Sequence, residues 1–192
     1  APASPGELSY TDALAYLDSH SNYDVSGRIA SPTLERMQTL MSAMGDPQST
    51  YPVIHITGTN GKGSTTQMIT RLLMAHGLTV GTYTSPHLER LNERICRNCE
   101  PIGDDDFAEQ IAAVADLEAL TGVHPSYFEA VTAAAFRWFA DIAIDVAVVE
   151  VGLLGSWDAT NVSNAQVAVV TNIAVDHTEY AGPTKRHIAI QK

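Results

Sequence analysis

The stretch HITGTNGKGSTTQ, residues 55 to 67, gathers three glycines, one lysine and a run of hydroxyl side chains. Such a set suits a phosphate. Gly58, Gly61 and Gly63 let backbone N–H groups approach closely, Lys62 brings a cation to a terminal phosphate, and Ser64, Thr65 or Thr66 offers a hydroxyl to the accompanying metal. The spacing departs from the common nucleotide-binding pattern, which has a glycine six positions before the lysine and Ser or Thr directly after it. Here Ile56 stands at the first of those positions, and Gly63 separates Lys62 from Ser64. By itself the stretch is equally compatible with an ordinary glycine-rich strand-to-helix turn.

Other polar residues stand where ligands of an open parallel sheet collect, at the carboxyl ends of strands. Ser85 and His87 follow VGTYT, Glu150 ends DVAVVE, and Asp176 and His177 lie just beyond VAVVTNI. A carboxylate, a hydroxyl and an imidazole beside a phosphate loop suit Mg²⁺, which takes few protein ligands and completes its shell with phosphate oxygens and water. Taken singly, Glu150 reads as a strand-end charge and His177 as a satisfied turn histidine. Their shared placement is what points to a site.

These residues need a frame to hold them. YPVIHIT is a short β-branched run, the glycine turn follows, and STTQMITRLLMAHG carries Met68, Leu72, Leu73 and Ala75 as the stripe of an amphipathic helix ending at Gly77. LTVGTYTS reads as the next strand, DDD opens a helix over 104–121, and YFEAVTAAAFRWFA makes another. IDVAVVEVG and AQVAVVTNI are continuous apolar runs, as expected of strands buried on both sides. The alternation predicts an α/β fold: a mostly parallel sheet with flanking helices. Ahead of it, residues 8–19 and 33–44 carry apolar residues at helical spacing, joined by the polar, turn-rich SHSNYDVSGRIASP. PTKRHIAIQK begins a helix and breaks off, which leads us to expect a piece cut from something longer.

Composition narrows the function. With 45 % apolar and 17 % charged residues, the 192-residue chain reads as a globular protein with no membrane span or signal peptide, hence cytoplasmic. A net charge of -11, with its cations scattered, argues against nucleic acid as a partner. Cys96 and Cys99 form a CxxC pair without a second pair or a strand-to-helix context, and read as two plain thiols in a hairpin.

Six motifs taken in order, HITGTNGKGST, YTSPHLERLNERI, YFEAVTAAAF, EVGLLGSWDATN, TNIAVDHTEYAGPT and IAIQK, resemble the folylpolyglutamate synthase and dihydrofolate synthase family of the Mur ligase group. The resemblance runs from about Tyr10 to Lys192, and this group uses GTNGKGS in place of the commoner loop. It implies a P-loop NTPase-like fold, the Mur ligase central domain, with residues 1–50 as a helical lead-in and 51–192 as an α/β core incomplete at its C-terminal end. A second, C-terminal ligase domain would lie outside this chain. The implied activity is an ATP-dependent amide ligase joining L-glutamate to a reduced folate or dihydropteroate through an acyl phosphate. The implied state is a monomer.

Carried over by position, Gly58, Thr59, Asn60, Gly61, Lys62, Gly63, Ser64 and Thr65 would bind ATP. Ser64 and Glu150 would hold one Mg²⁺, and Ser85 and His177 a second. Lys192 matches a lysine that the family carbamylates, and Ser85, His87, Asp158 and Ala159 would face the folate. Two positions depart from the pattern. Leu154 stands where the family commonly has glycine, and Ser156 where it has arginine, which favours a degenerate nucleotide-binding module as the alternative. A Mur-group ligase acting on a cell-wall precursor is a third reading, opposed by TSPHL and DATN.

Overall fold

The computed structural model describes residues 8–22 and 33–192. Six strands form one sheet in the order β4-β3-β2-β5-β1-β6: β1 Val53–Thr57, β2 Val80–Tyr83, β3 Ile95–Arg97, β4 Glu100–Pro101, β5 Val146–Glu150 and β6 Val167–Val170. The four strands β2, β5, β1 and β6 run parallel, and the β3–β4 hairpin adds an antiparallel edge. The helices are α1 Tyr10–Asp18, α2 Glu35–Ala43, α3 Lys62–Ala75, α4 Asp104–Thr121, α5 Tyr127–Asp141, α6 Thr178–Ala181 and α7 Lys185–Gln191. Among the described residues, no helix is long and apolar enough to cross a membrane.

Strand alternation divides β5 between two cores. Ala147 and Val149 enter the larger one, with Val53, Tyr83, Phe107, Ile111, Phe136 and Phe139, beneath α1, α2, α4 and α5. Val146 and Val148 face the other way, onto Ile56, Val80, Ile69 and Leu73 under α3. Two helix starts are fixed by reciprocal caps, Ser9 with Asp12 and Ser126 with Glu129. Glu129 also accepts from Arg36 Nε and Nη2 at 2.9 and 3.0 Å, tying α2 to the start of α5.

Two expectations are corrected. Met68 and Leu72 are 58 % and 64 % exposed, so they do not mark the inner face of α3. Thr66, Ile69, Thr70 and Leu73 do, and Thr70 reaches the sheet through a 3.0 Å hydroxyl pair with Thr82. Of the expected stripe only Leu73 faces inward, Ala75 being exposed like Met68 and Leu72, because buried threonines take the inner positions. β6 is not buried on both sides: Val167 and Val170 are about half exposed, because β6 pairs with β1 alone among the described residues. The linker 19–32 lies mostly outside the described residues. The CxxC thiols are unpaired and sit on the β3–β4 hairpin as expected, Cys96 on β3 and Cys99 in its turn.

Candidate functional site

β1 ends at Thr57, and the chain must then turn sharply into α3. Gly58 makes the turn at φ +144°, where a Cβ would lie 1.9 Å from Thr171 Oγ1 and 3.1 Å from the Thr171 backbone nitrogen. Gly61 caps α3 in the left-handed region at φ +79°. The first half of the loop is braced by the segment that follows β6. Thr59 N and Asn60 N donate to the Asn172 carbonyl and side chain, at 3.1 and 3.0 Å. Thr171 Oγ1 donates to Asn60 O at 2.6 Å, and Ala174 N donates to Thr59 Oγ1 at 3.0 Å. Among the described residues, the amides of Gly61, Lys62, Gly63 and Ser64 have no acceptor within the chain, whereas Thr65 N is already engaged by Gly61 O at 3.0 Å. Four free N–H groups at the positive end of a 14-residue helix make an anion site.

Two ammonium groups reach this turn. Lys62 Nζ donates to Gly58 O at 3.1 Å, and Lys192 Nζ donates to the same oxygen at 2.9 Å. Lys192 arrives on α7, whose end docks on the loop after β5. Ser156 N and Oγ both donate to Gln191 O, at 2.9 and 3.2 Å, and a Cβ on Gly155 would lie 2.9 Å from that carbonyl. Burial, then the charge of Lys62, hold the Lys192 pKa below the usual lysine range.

Glu150 pairs in register with Ile56 on β1, so the strand end delivers its carboxylate beside the helix start. Its Oε2 lies 3.5 Å from where a Gly63 Cβ would be, an ordinary contact distance that sets the carboxylate against the first turn of α3. Glu150 is 4 % exposed. Burial raises its pKa to about 7, against the opposing pull of Lys62 and of the Ser85 backbone N–H.

The remaining expected residues divide. Ser64 is exposed on the first turn of α3, and Ser85 stands next to Glu150 through its backbone. His87 Nδ1 accepts from buried Arg94 Nε at 2.9 Å. His177 pairs with Asp176 at 3.2 Å, and the charge of Asp176 in turn acts on Lys192. Asp158 is 4 % exposed and bonds its own loop, accepting from Leu153 N at 2.8 Å and Thr160 N at 3.0 Å. The side chain of Ala159 packs into the larger core, leaving only its backbone for a ligand. No group of three or more His, Cys, Asp or Glu side chains gathers as a metal cage among the described residues. Thr171 and Asn172, which hold the loop, escaped sequence reasoning; their position just after a strand at the sheet's ligand-binding end was the available signal.

Leu154, at φ +58°, explains the glycine commonly found there in the family that the sequence resembles. Its side chain is buried with Leu153 and Ile188, a cluster that seats α7.

No family model matches the chain. A dihydrofolate synthase/folylpolyglutamate synthase of Mycobacterium tuberculosis is 44 % identical over 172 residues, covering 84 % of this chain and 35 % of that protein. A folylpolyglutamate synthase of Lacticaseibacillus casei is 41 % identical over 190 residues, covering 96 % of this chain and 43 % of that protein. The structure of E. coli FolC in complex with DHPP and ADP superposes with a TM-score of 0.87 at 33 % identity, covering 99 % of this chain and 44 % of that one. The chain thus spans less than half the length of the relatives it matches.

Proposed function

Because the chain belongs, over nearly its whole length, with the N-terminal part of the folylpolyglutamate synthase and dihydrofolate synthase family, we propose that it is the ATP-handling portion of an amide ligase. The ligase joins L-glutamate to the carboxylate of a reduced folate or dihydropteroate. The helices α1 and α2 lead into the phosphate-loop core over 51–192, and a further domain, outside this chain, would complete the site. The observation that carries this reading is the meeting of Lys62 and Lys192 on Gly58 O beside four unpartnered amides at a helix start.

The residues present fit Mg²⁺. Glu150 is a buried carboxylate whose raised pKa marks incomplete compensation, and one turn into α3 the buried Thr66 Oγ1 has no partner. Ser64 and Glu150 would hold one ion, and Ser85 and His177 a second. Bound there, the metal would neutralise charge on the phosphates and keep Glu150 ionised.

The chain's own groups supply positioning. The amides of residues 61–64 orient the phosphates, and Lys62 contacts the terminal one. The substrate carboxylate oxygen attacks the terminal phosphorus and ADP leaves, giving an acyl phosphate. The glutamate amine then attacks the acyl carbon, phosphate leaves, and the amine releases a proton. His87, Asp158 and the backbone at Ala159 line the folate side. The lowered pKa of Lys192 enlarges the neutral amine fraction, the form that adds carbon dioxide to give a carbamate and a proton. That carbamate would replace a cation by an anionic oxygen ligand.

Calorimetric titration with ADP tests the reading. The wild-type chain is expected to bind and Lys62→Ala to lose affinity; equal affinity in the two would overturn it. ATP-dependent addition of labelled glutamate to a reduced folate should be at most marginal for this chain alone. A degenerate nucleotide-binding module is the second reading, favoured by Leu154 and by Ser156, whose hydroxyl is spent on Gln191 O. Complementation with the remaining domain separates the two.

A further inference from the structure

We infer that His55 is a positioning residue: through the hydroxyl of Thr160 it orients Asp158, and so fixes the loop after β5 to the strand that feeds the phosphate loop. The proposed ligase reading enters only in naming the ligand that this loop would meet, a folate or dihydropteroate.

His55 and Thr57 project from the same side of β1, being two residues apart. Thr57 Oγ1 donates to Leu154 O at 2.7 Å, the first tie to the loop. His55 makes the second. Its Nε2 lies 2.7 Å from Thr160 Oγ1, whose hydroxyl donates to Asp158 Oδ1 at 2.5 Å. One hydroxyl carries one proton, and Asp158 receives it, so the Thr160 oxygen must accept from His55 Nε2–H. Burial lowers the His55 pKa to about 4, which leaves a neutral ring with a single proton at neutral pH. Burial raises the Asp158 pKa, but four donors from Thr160, Leu153 and Gly152 favour its carboxylate form, and with that form the relay runs from ring to hydroxyl to carboxylate.

Asp158 closes the loop on itself. Oδ1 also accepts from Thr160 N, and Oδ2 accepts from Leu153 N, with the Gly152 backbone contributing as well. There is no slack around it. A Cβ on Gly152 would lie 2.5 Å from the Phe128 ring and 3.1 Å from Asp158 Oδ2. A hydroxyl turned away from Asp158 would leave a buried carboxylate short of one donor, a change the loop amides must register. A partly buried histidine that merely fills space would leave those amides alone.

The test is residue-resolved amide exchange on the full chain, for wild type, Thr160→Val, Thr160→Ser and His55→Phe. Thr160→Val and His55→Phe should speed exchange at Leu153 and Thr160 by about tenfold relative to β5, as expected for loss of one buried hydrogen bond. Thr160→Ser, which keeps the hydroxyl, should restore protection. ADP affinity should stay within about twofold. Unchanged protection at Leu153 would overturn the relay, as would a uniform rise that includes β5, or a Thr160→Ser variant as impaired as Thr160→Val. In parallel, dihydropteroate titration should weaken in Thr160→Val and recover in Thr160→Ser. Failure of the wild-type chain to bind dihydropteroate would count against the ligase reading and leave the exchange result to decide the relay.

Discussion

Lys62 and Lys192 donate to one acceptor, the carbonyl oxygen of Gly58, although 130 positions separate them in the sequence. Two like charges on one oxygen are held together against their mutual repulsion, and that repulsion helps to keep the Lys192 pKa low. An anion arriving at the adjacent amides relieves it.

Nucleotide binding should therefore restore the proton that Lys192 tends to lose. In bicarbonate-free buffer at alkaline pH, below the ordinary lysine value, ADP binding is expected to take up protons. Calorimetry in buffers of different ionisation enthalpy measures that uptake, and Lys192→Met should abolish it. Lys62→Ala should lower ADP affinity by at least about tenfold, the scale of a charge-assisted phosphate contact.

Glu150 makes stability depend on pH. Its folded pKa of about 7 exceeds the ordinary carboxylate value of 4.5, so between these values the folded state keeps a proton that the unfolded state has lost. Stability from this group is full below 4.5 and falls as pH rises through 7. At about 1.4 kcal/mol per unit the loss is at most about 3.5 kcal/mol. Glu150→Gln should remove this contribution, so that stability rises more steeply with pH than in the wild type in urea unfolding curves taken between pH 4.5 and 7.5; identical pH profiles for the two would assign the dependence to another group.

His55 acts with the opposite sign. Its folded pKa, about 4, lies below the ordinary 6.5, so its contribution is full above 6.5 and is lost as pH falls through 4. With Glu150 neutralised by Glu150→Gln, the chain should lose stability monotonically on acidification across that window. His55→Phe in the same background should flatten the curve.

Gly58→Ala places a methyl group on Thr171 at a left-handed φ. A loss of more than about 2 kcal/mol is expected in denaturant unfolding. Thr171→Ala should not fully rescue it, because the backbone nitrogen of Thr171 would remain 3.1 Å from the new carbon.

Leu154→Gly sets two effects against each other. Relief of the left-handed backbone contributes about 1 kcal/mol, whereas removing a side chain packed on Leu153 and Ile188 costs roughly 2–5 kcal/mol. The net expectation is destabilisation, with faster amide exchange in α7. A more stable variant would mean that the strain outweighs the packing.

The phosphate loop and the parallel strands were legible because both rest on local signals. Glycine is required where a Cβ would collide, and β5 is apolar on both faces because helices cover both. The stripe of α3 was misread because apolarity stood in for burial, whereas Thr66 and Thr70 bury hydroxyls against the sheet and Met68 and Leu72 face outward. The bracing of the loop by Thr171 and Asn172, and the link from His55 to Asp158, depend on partners more than 100 positions away. No periodicity within either segment could have revealed them. Asp158 was expected as a ligand contact from resemblance alone, and its four donors within the loop became visible only in three dimensions.

The seat of α7 on Gly155 and Ser156 gives the second ammonium group an anchorage remote from the helix that bears it. The placing of Lys192 on Gly58 O thus answers to two short stretches at once, the loop after β5 that holds the Gln191 carbonyl and the turn that offers the acceptor.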